Sequence, residues 1–360
     1  MTSPILIMAG GTGGHVFPAL AVARELRGRD EEVVWLGTKR GIEAEIIPKE
    51  GFPIEWTRIS GLRRKGLLSW MLAPLKLCVA VFDALAVLIR RRPKLVLGMG
   101  GFASGPGGFA AWLLRKPLII HEQNSVAGLT NRLLAGFARE VLEAFPGSFS
   151  AKVQTRLVGN PVRPDIVALP EPRQRFRDRQ GRLRVLILGG SQGALILNQT
   201  VPRALALLPA DRRPDIWHQA GTASIEAART IYAEHAISGR LDPFIDDIAE
   251  AYAWADLVIC RAGALTISEL AAAGLGAILV PYPSAVDDHQ TRNADFLVAA
   301  GAAVLMPQAE LTPELLAQEI DRCVGNRQIL EDRAVHARFV ARPDATREVA
   351  DICLAAVHDA

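Results

Sequence analysis

Short apolar runs at 5–9, 33–36, 54–59, 95–98 and 118–121 each end in a glycine-bearing or polar loop, and helical stretches separate them. This alternation predicts parallel βαβ winding. The pattern restarts in the second half with runs at 185–188, 216–219, 257–260, 277–280 and 303–305, which predicts a second Rossmann-like domain. The segments at 5–14 (ILIMAGGTGG) and 185–194 (VLILGGSQGA) are both apolar strands running into a glycine-rich turn, so the two halves open alike. Between them, the turn-forming GNPVRP at 159–164 and the Pro- and charge-rich stretch up to Gly181 read as a linker. The expected domains are therefore 1–163 and 164–341, with a last helix within 342–358, starting near Asp344, that packs back on the first. Thr312-Pro313-Glu314 carries an N-cap residue, a first-position proline and an early acid, and so opens another helix.

A length of 360 residues agrees with two domains. Half the residues are hydrophobic and 22% are charged, which excludes a disordered or low-complexity chain. Cys78, Cys260, Cys323 and Cys353 are far apart, which argues against a disulfide framework and a zinc site, so a reducing cytosol is expected. The N-terminus has no signal-peptide pattern, so export is not expected. Net charge is +3, but 63–94 holds eight basic residues against Asp83 alone, which leaves the rest of the chain negative. A nucleic-acid partner is not expected.

That basic window encloses the apolar stretch 67–89. Pro74, Lys76 and Asp83 interrupt it, and a charge near a helix centre costs roughly 2.5–3.5 kcal/mol on insertion scales, which disfavours spanning. Flanked by Arg63, Arg64, Lys65, Arg90, Arg91, Arg92 and Lys94, the stretch reads either as a helix lying on an anionic membrane surface through Trp70, Leu75, Val79 and Phe82, or as an ordinary sheet-covering helix.

Three glycine loops, at 10–14, 98–108 and 189–193, have the strand–turn–helix setting that points backbone N–H groups at a phosphate. A nicotinamide-dinucleotide site is not expected. Gly11, Gly13 and Val16 miss the G-x-G-x-x-G spacing, the second strand leads into Gly37-Thr38-Lys39-Arg40 without an acid, and the G-x-G-x-x-A match at 98–103 falls late in the domain. His15, at a helix start where the dipole disfavours imidazolium, is the first candidate for a general base, with Glu122 as its rival. Ser191 is either a phosphate donor or a helix cap. Phe244 and Ile245 could stack on and hydrogen-bond a base, although an isolated aromatic is more often core. Thr266 and Glu269 have the spacing of a T-x-x-E capping box. Asp287, Asp288 and His289 read as a loop rather than a metal site.

Seven segments, GGTGGH (10–15), SGLR (60–63), GGFASGPGG (100–108), HEQN (121–124), GNPVR (159–163), GGSQGA (189–194) and CRAGALTISELAAAG (260–274), together resemble the MurG family. The resemblance implies two Rossmann-like domains facing a cleft in the GT-B arrangement. It also implies inverting transfer of N-acetylglucosamine from UDP-N-acetylglucosamine to undecaprenyl-pyrophosphoryl-N-acetylmuramoyl-pentapeptide (lipid I). Carried over residue by residue, it places UDP contacts at Arg163, Ser191, Phe244, Ile245, Ala264, Leu265, Thr266, Ile267, Ser268 and Glu269, the glutamate on the ribose hydroxyls. Gln290, with His289 beside it, would meet the donor sugar, and Thr12, Gly13, Gly14 and Asn124 would contact that sugar or shape the acceptor pocket. No tightly bound cofactor is implied, and the need for a divalent cation stays open. The resemblance further implies peripheral attachment to the cytoplasmic face of the bacterial inner membrane and cell-wall or division proteins as partners. Arg64 and Gly276 depart from the family's usual glycine and proline, at what read as loop positions. A same-fold UDP-N-acetylglucosamine 2-epimerase and a non-catalytic nucleotide-sugar sensor are the alternatives.

Overall fold

The computed structural model describes residues 3–59, 73–177, 179–190, 193–283 and 288–358. The SGLR motif, Arg64, Trp70, Ser191 and Asp287 lie outside them. The chain divides into two compact units, one of Met1–Arg163 with Pro343–Ala360 and one of Pro164–Arg342.

In unit 1 the strands are β1 (Ile5–Met8), β2 (Val33–Gly37), β3 (Ile54–Trp56), β4 (Leu95–Gly98), β5 (Leu118–Glu122), β6 (Glu140–Glu143) and β7 (Arg156–Leu157). They form a parallel sheet in the order β3-β2-β1-β4-β5-β6-β7. The helices are α1 (Gly13–Gly28), α2 (Glu43–Lys49), α3 (Ala73–Arg91), α4 (Ser104–Leu113) and α5 (Leu129–Leu134). Every residue of β1 and β4 is buried, because helices cover both faces of the sheet. Ile5 and Ile7 pack toward α1, Leu6 and Met8 toward the side that holds Ala84, Val87 and Leu88 of α3.

Unit 2 contains α6 (Pro164–Val167), α7 (Pro172–Arg177), α8 (Leu195–Ala206), α9 (Ile225–Glu234), α10 (Ile248–Trp254), α11 (Ala264–Ala273), α12 (His289–Ala299), α13 (Pro313–Gly325) and α14 (Arg327–Phe339). Its parallel sheet runs β10-β9-β8-β11-β12-β13, made of β8 (Arg184–Leu188), β9 (Asp215–Gln219), β10 (Arg240–Asp242), β11 (Leu257–Cys260), β12 (Gly276–Leu279) and β13 (Ala303–Leu305). The Thr312 hydroxyl caps α13 by accepting the Leu315 N–H. The last helix, α15 (Ala345–His358), belongs to unit 1. It sends Val349, Ala350, Ile352, Cys353 and Ala356 into the core shared with α1 and β1, and Asp351 pairs with Arg29.

β6, β7 and β10 were not legible as strands, since EVLE, RL and RLD offer no uninterrupted apolar run. β3 spans three residues rather than the six of the apolar run, with its pairing to β2 ending at Trp56.

Candidate active site

Unit 1 places its first glycine loop at the carboxyl end of β1, where the sheet order reverses between β1 and β4. Thr12 is the N-cap of α1 in extended conformation and makes no side-chain cap, so the first N–H groups of the helix lack intrahelical acceptors. The loop is held from below by Glu43, a fully buried carboxylate that accepts the N–H of Gly11 (2.9 Å), the N–H of Thr38 (2.9 Å) and the Thr38 hydroxyl (2.7 Å). The second loop closes on the first. Gly100 and Gly101 have φ of +88° and +84°, and a Cβ on Gly101 would lie 2.2 Å from the Gly10 carbonyl oxygen.

His15 sits in the first turn of α1, half-buried, with Nδ1 2.8 Å from the Gln123 Oε1. Gln123 in turn meets His121 at the end of β5. Glu122, the rival base, is buried at 2% exposure and accepts from the Asn124 backbone and amide, the Gly128 backbone and the Asn131 amide at 2.9–3.2 Å. Four donors occupy its oxygens, so its position is that of a turn-organising carboxylate. Arg163, at the boundary of unit 1, places its guanidinium 5.7 Å from the ring centroid of Phe17 on α1.

In unit 2, Gly190 and Gly193 adopt φ of +79° and +77° after β8, and the Gly193 N–H bonds the Gly190 carbonyl at 3.0 Å. Gln219 ties this loop to another, since its Nε2 donates to the Gly190 carbonyl (2.9 Å) while its Oε1 accepts the Ile245 N–H (3.1 Å). Ile245 is buried and Phe244 is 49% exposed, so the aromatic is not a core residue. The residues between β11 and α11 are clamped by three side chains. Arg261 donates to the carbonyls of Val280 and Pro281, the Gln290 Oε1 accepts the N–H groups of Ala262 and Tyr282, and Asn293 donates to the Ala262 carbonyl.

Gly263, not Thr266, is the N-cap of α11, and it has no side-chain cap. The T-x-x-E spacing is therefore not a capping box. Both residues lie inside the helix, where Thr266 is half-buried and Glu269 is buried, accepting from the Tyr252 hydroxyl at 3.0 Å. The N–H groups of Ala264, Leu265 and Thr266 consequently open α11 without intrahelical partners, which is the arrangement that receives an anion. Ile267 is fully buried and can offer a ligand nothing but backbone, and the Ser268 hydroxyl bonds back to the Ala264 carbonyl at 3.1 Å.

These two glycine-lined strand ends are matched by two family models. The glycosyltransferase family 28 N-terminal domain covers residues 5–143 and the glycosyltransferase family 28 C-terminal domain covers residues 184–349. The chain is 57% identical over 354 residues to the UDP-N-acetylglucosamine--N-acetylmuramyl-(pentapeptide) pyrophosphoryl-undecaprenol N-acetylglucosamine transferase of Nitrosococcus oceani, spanning 98% of this chain and 99% of that one. It is 56% identical to the Marinobacter nauticus protein of the same name, over 98% and 97%. The crystal structure of Acinetobacter baumannii MurG is 41% identical with a TM-score of 0.86, covering 98% of this chain and all of that one. The chain belongs to the MurG family. Anabaena HepE in complex with UDP, at 16% identity, 98% and 100% coverage and a TM-score of 0.65, shares the fold.

Against the MurG family pattern, Gly276 is not a loop residue. It is the buried first residue of β12, and a Cβ there would stand 2.9 Å from that of Arg333, itself buried and paired with Glu319 at 2.6 Å. Several of the charges in the basic window are paired. Arg90 and Arg91 pair with Glu55, Lys94 pairs with Glu31, and Asp83 pairs with Arg58. α3 has one face buried on the sheet and one face exposed. Ala80, Ala84, Val87 and Leu88 are buried against the sheet, Val79 is half-buried, and Leu75, Phe82 and Ile89, seven residues apart, are 61–70% exposed. No helix among the described residues is long and apolar enough to cross a membrane.

Proposed function

We propose that this MurG family member transfers N-acetylglucosamine with inversion from UDP-N-acetylglucosamine to the 4-hydroxyl of the N-acetylmuramoyl residue of lipid I, giving lipid II for peptidoglycan synthesis. The observation that carries the reading is the near full-length identity to the named transferases, with every glycine-loop motif at a strand end of the matching unit.

In unit 2, the Gly190 loop and the open N-terminus of α11 suit the diphosphate, with Ser191 as an added hydroxyl donor. Phe244 and the Ile245 backbone suit the uracil, Glu269 the ribose hydroxyls, and Arg163 the UDP site as the family resemblance implies. The Gln290 carbonyl is engaged by backbone, so its Nε2 is the group left to address the sugar hydroxyls. In unit 1, Thr12, Gly13, Gly14 and Asn124 contact sugar or acceptor. His15 takes the proton of the attacking hydroxyl as the new O–C1 bond forms, the C1–O bond breaks, and UDP leaves with the electron pair toward the helix N-terminus.

The same reading makes the protein a peripheral enzyme of the cytoplasmic face of the inner membrane. α4 packs beside α3, and the exposed Phe109, Trp112 and Phe137 form an aromatic cluster with centroids 4.9–6.2 Å apart, while the cations Arg115, just past α4, and Arg132, on α5, are exposed as well. High-salt washing of membranes should release the protein. Partners in a wall-building or division assembly are proposed on the family resemblance alone.

The test supplies labelled UDP-N-acetylglucosamine and a lipid I analogue, with and without a divalent ion or chelator, and follows disaccharide formation. Acceptor-dependent UDP release is expected. Donor conversion without acceptor would favour the epimerase, and donor binding without turnover would favour the sensor. The ion arms decide whether a free cation assists the departure of UDP, since no tightly bound cofactor enters this reading.

A further inference from the structure

A chain of hydrogen bonds runs through the interior of unit 1 to His15, and its direction is fixed at the far end. The Gly159 carbonyl oxygen, which can only accept, lies 2.9 Å from the His121 Nε2. That nitrogen therefore carries a hydrogen. His121 is fully buried, and burial pushes its imidazole down to about 4, so the ring is neutral at physiological pH and its Nδ1 is an acceptor. The Gln123 Nε2 is 3.0 Å from this Nδ1 and 3.3 Å from the His121 carbonyl oxygen, two acceptors that require the NH2 end of the amide to face them. The opposite end, Oε1, is thereby turned to the His15 Nδ1 at 2.8 Å. An amide oxygen cannot donate, so the hydrogen of this contact belongs to His15.

We infer that Gln123, oriented by His121 and the Gly159 carbonyl, is a positioning residue that holds neutral His15 as its Nδ1–H tautomer and leaves the basic lone pair on Nε2. The significance for transfer rests on His15 being the base, whereas the tautomer itself does not. The surroundings hold the ring in place. Gln123 is 1% exposed, its carbonyl accepts the Asn160 amide at 3.0 Å, and a Cβ on Gly100 would lie 2.6 Å from the His15 Nδ1. Only a residue without a side chain lets the imidazole lie against that backbone. Nε2 has no hydrogen-bond partner among the described residues. A proton arriving on Nε2 from the acceptor hydroxyl converts the ring to imidazolium, whose Nδ1–H still donates to the Gln123 oxygen, so the relay needs no rearrangement during the step. Water favours the other tautomer of a free histidine side chain, so without the relay most neutral rings would present a hydrogen where the base must accept one.

The test is 15N NMR of the full-length protein with labelled histidine at mildly alkaline pH, assigned by the resonance lost in His15→Gln. A pyrrole-type Nδ1 and pyridine-type Nε2 for His15, with the reverse for His121, is the expected result, and a pyrrole-type Nε2 on His15 overturns the inference. In Gln123→Met, which keeps length but neither end of the relay, His15 should shift toward the Nε2–H form. The kcat should then fall on the order of 100-fold with the KM for UDP-N-acetylglucosamine within about twofold. A tautomer unchanged in Gln123→Met also overturns it. If the wild-type tautomer is as stated but His15→Gln retains turnover, the assignment of the base fails and the positioning of the ring stands.

Discussion

The side-chain amide of Gln219 donates to the Gly190 carbonyl, 29 positions earlier in the chain, and so fixes the glycine loop after β8 to the end of β9. The same amide accepts the Ile245 N–H, so one buried side chain sets the distance between the two loops proposed to hold the diphosphate and the uracil. Gln219→Leu retains bulk and removes both bonds. A net hydrogen bond contributes about 1 kcal/mol, so UDP affinity measured by calorimetry should drop on the order of tenfold or more. Unchanged affinity would show that the loops hold their spacing without it.

Two glycines with similar backbone angles should respond differently to alanine. Gly193 has φ +77°, and a Cβ would lie 2.1 Å from the Ala220 carbonyl oxygen, so Gly193→Ala must displace backbone. Gly11 has φ +93° with open space beside it, so Gly11→Ala incurs only the left-handed backbone cost of about 1–2 kcal/mol. Gly193→Ala is expected to abolish measurable UDP binding, while Gly11→Ala leaves it intact. Equal UDP affinity in the two variants would contradict this difference.

The central strands and glycine turns were legible because burial on both faces and left-handed turns leave local marks, apolar runs and glycines in sequence. The supports of the site leave none. Glu43, Gln123 and Gln219 each make at least one bond to a residue 26 to 108 positions away, and nothing in the spacing of an isolated glutamate or glutamine announces such a partner. The HEQN motif directed attention to Glu122, whose oxygens are taken up by its own turn, rather than to the neighbouring Gln123, which bonds His15. Local spacing also misled at α11, where Thr266 and Glu269 satisfied a capping pattern while the strand end and Gly263 set the helix start three residues earlier.

Glu43 supplies a prediction of its own. Its two oxygens accept from three donors, two of them backbone. Glu43→Gln turns one acceptor end into a donor facing a donor, which leaves at least one buried N–H unpaired at a cost of about 1–3 kcal/mol. Unit 1 should melt a few degrees lower, and turnover should fall because the loop that leads into the helix of His15 loses its support. UDP affinity, proposed to rest mainly on the loops of unit 2, should change little, and a parallel loss of it would argue against this assignment.

Buried histidines make stability sensitive to acid. Burial lowers the pKa of His218 in unit 2 to about 3 and that of His121 in unit 1 to about 4 from a reference value of 6.5. Both folded values are depressed, so the fold refuses a proton that the unfolded chain binds below pH 6.5. The stability is complete above that pH and falls as pH drops, by about 1.4 kcal/mol per unit for each group until its folded value is reached. His218 Nδ1 is 2.9 Å from the Tyr232 hydroxyl, a contact that glutamine can replace. Urea unfolding of His218→Gln between pH 7 and 5 should show a slope shallower by about one proton, and an unchanged slope would count against the buried neutral ring.

Membrane attachment should be separable from catalysis. Phe82 on α3 is 70% exposed and Trp112 on α4 is 45% exposed, so truncating either leaves little of the core disturbed. With Arg90 and Arg91 paired to Glu55, the proposed attachment would rest more on apolar contact and on exposed cations such as Arg115 and Arg132. Removing one inserted aromatic forfeits on the order of 1–2 kcal/mol of apolar transfer, so Phe82→Ala and Trp112→Ala should each weaken binding to phosphatidylglycerol-containing vesicles about tenfold. Turnover with a short-chain, water-soluble acceptor should be preserved, because neither side chain supports His15 or a glycine loop. Vesicle binding unaltered in the double variant would move the membrane-facing surface elsewhere in the molecule, and lost turnover with the soluble acceptor would make these helices part of the acceptor site itself.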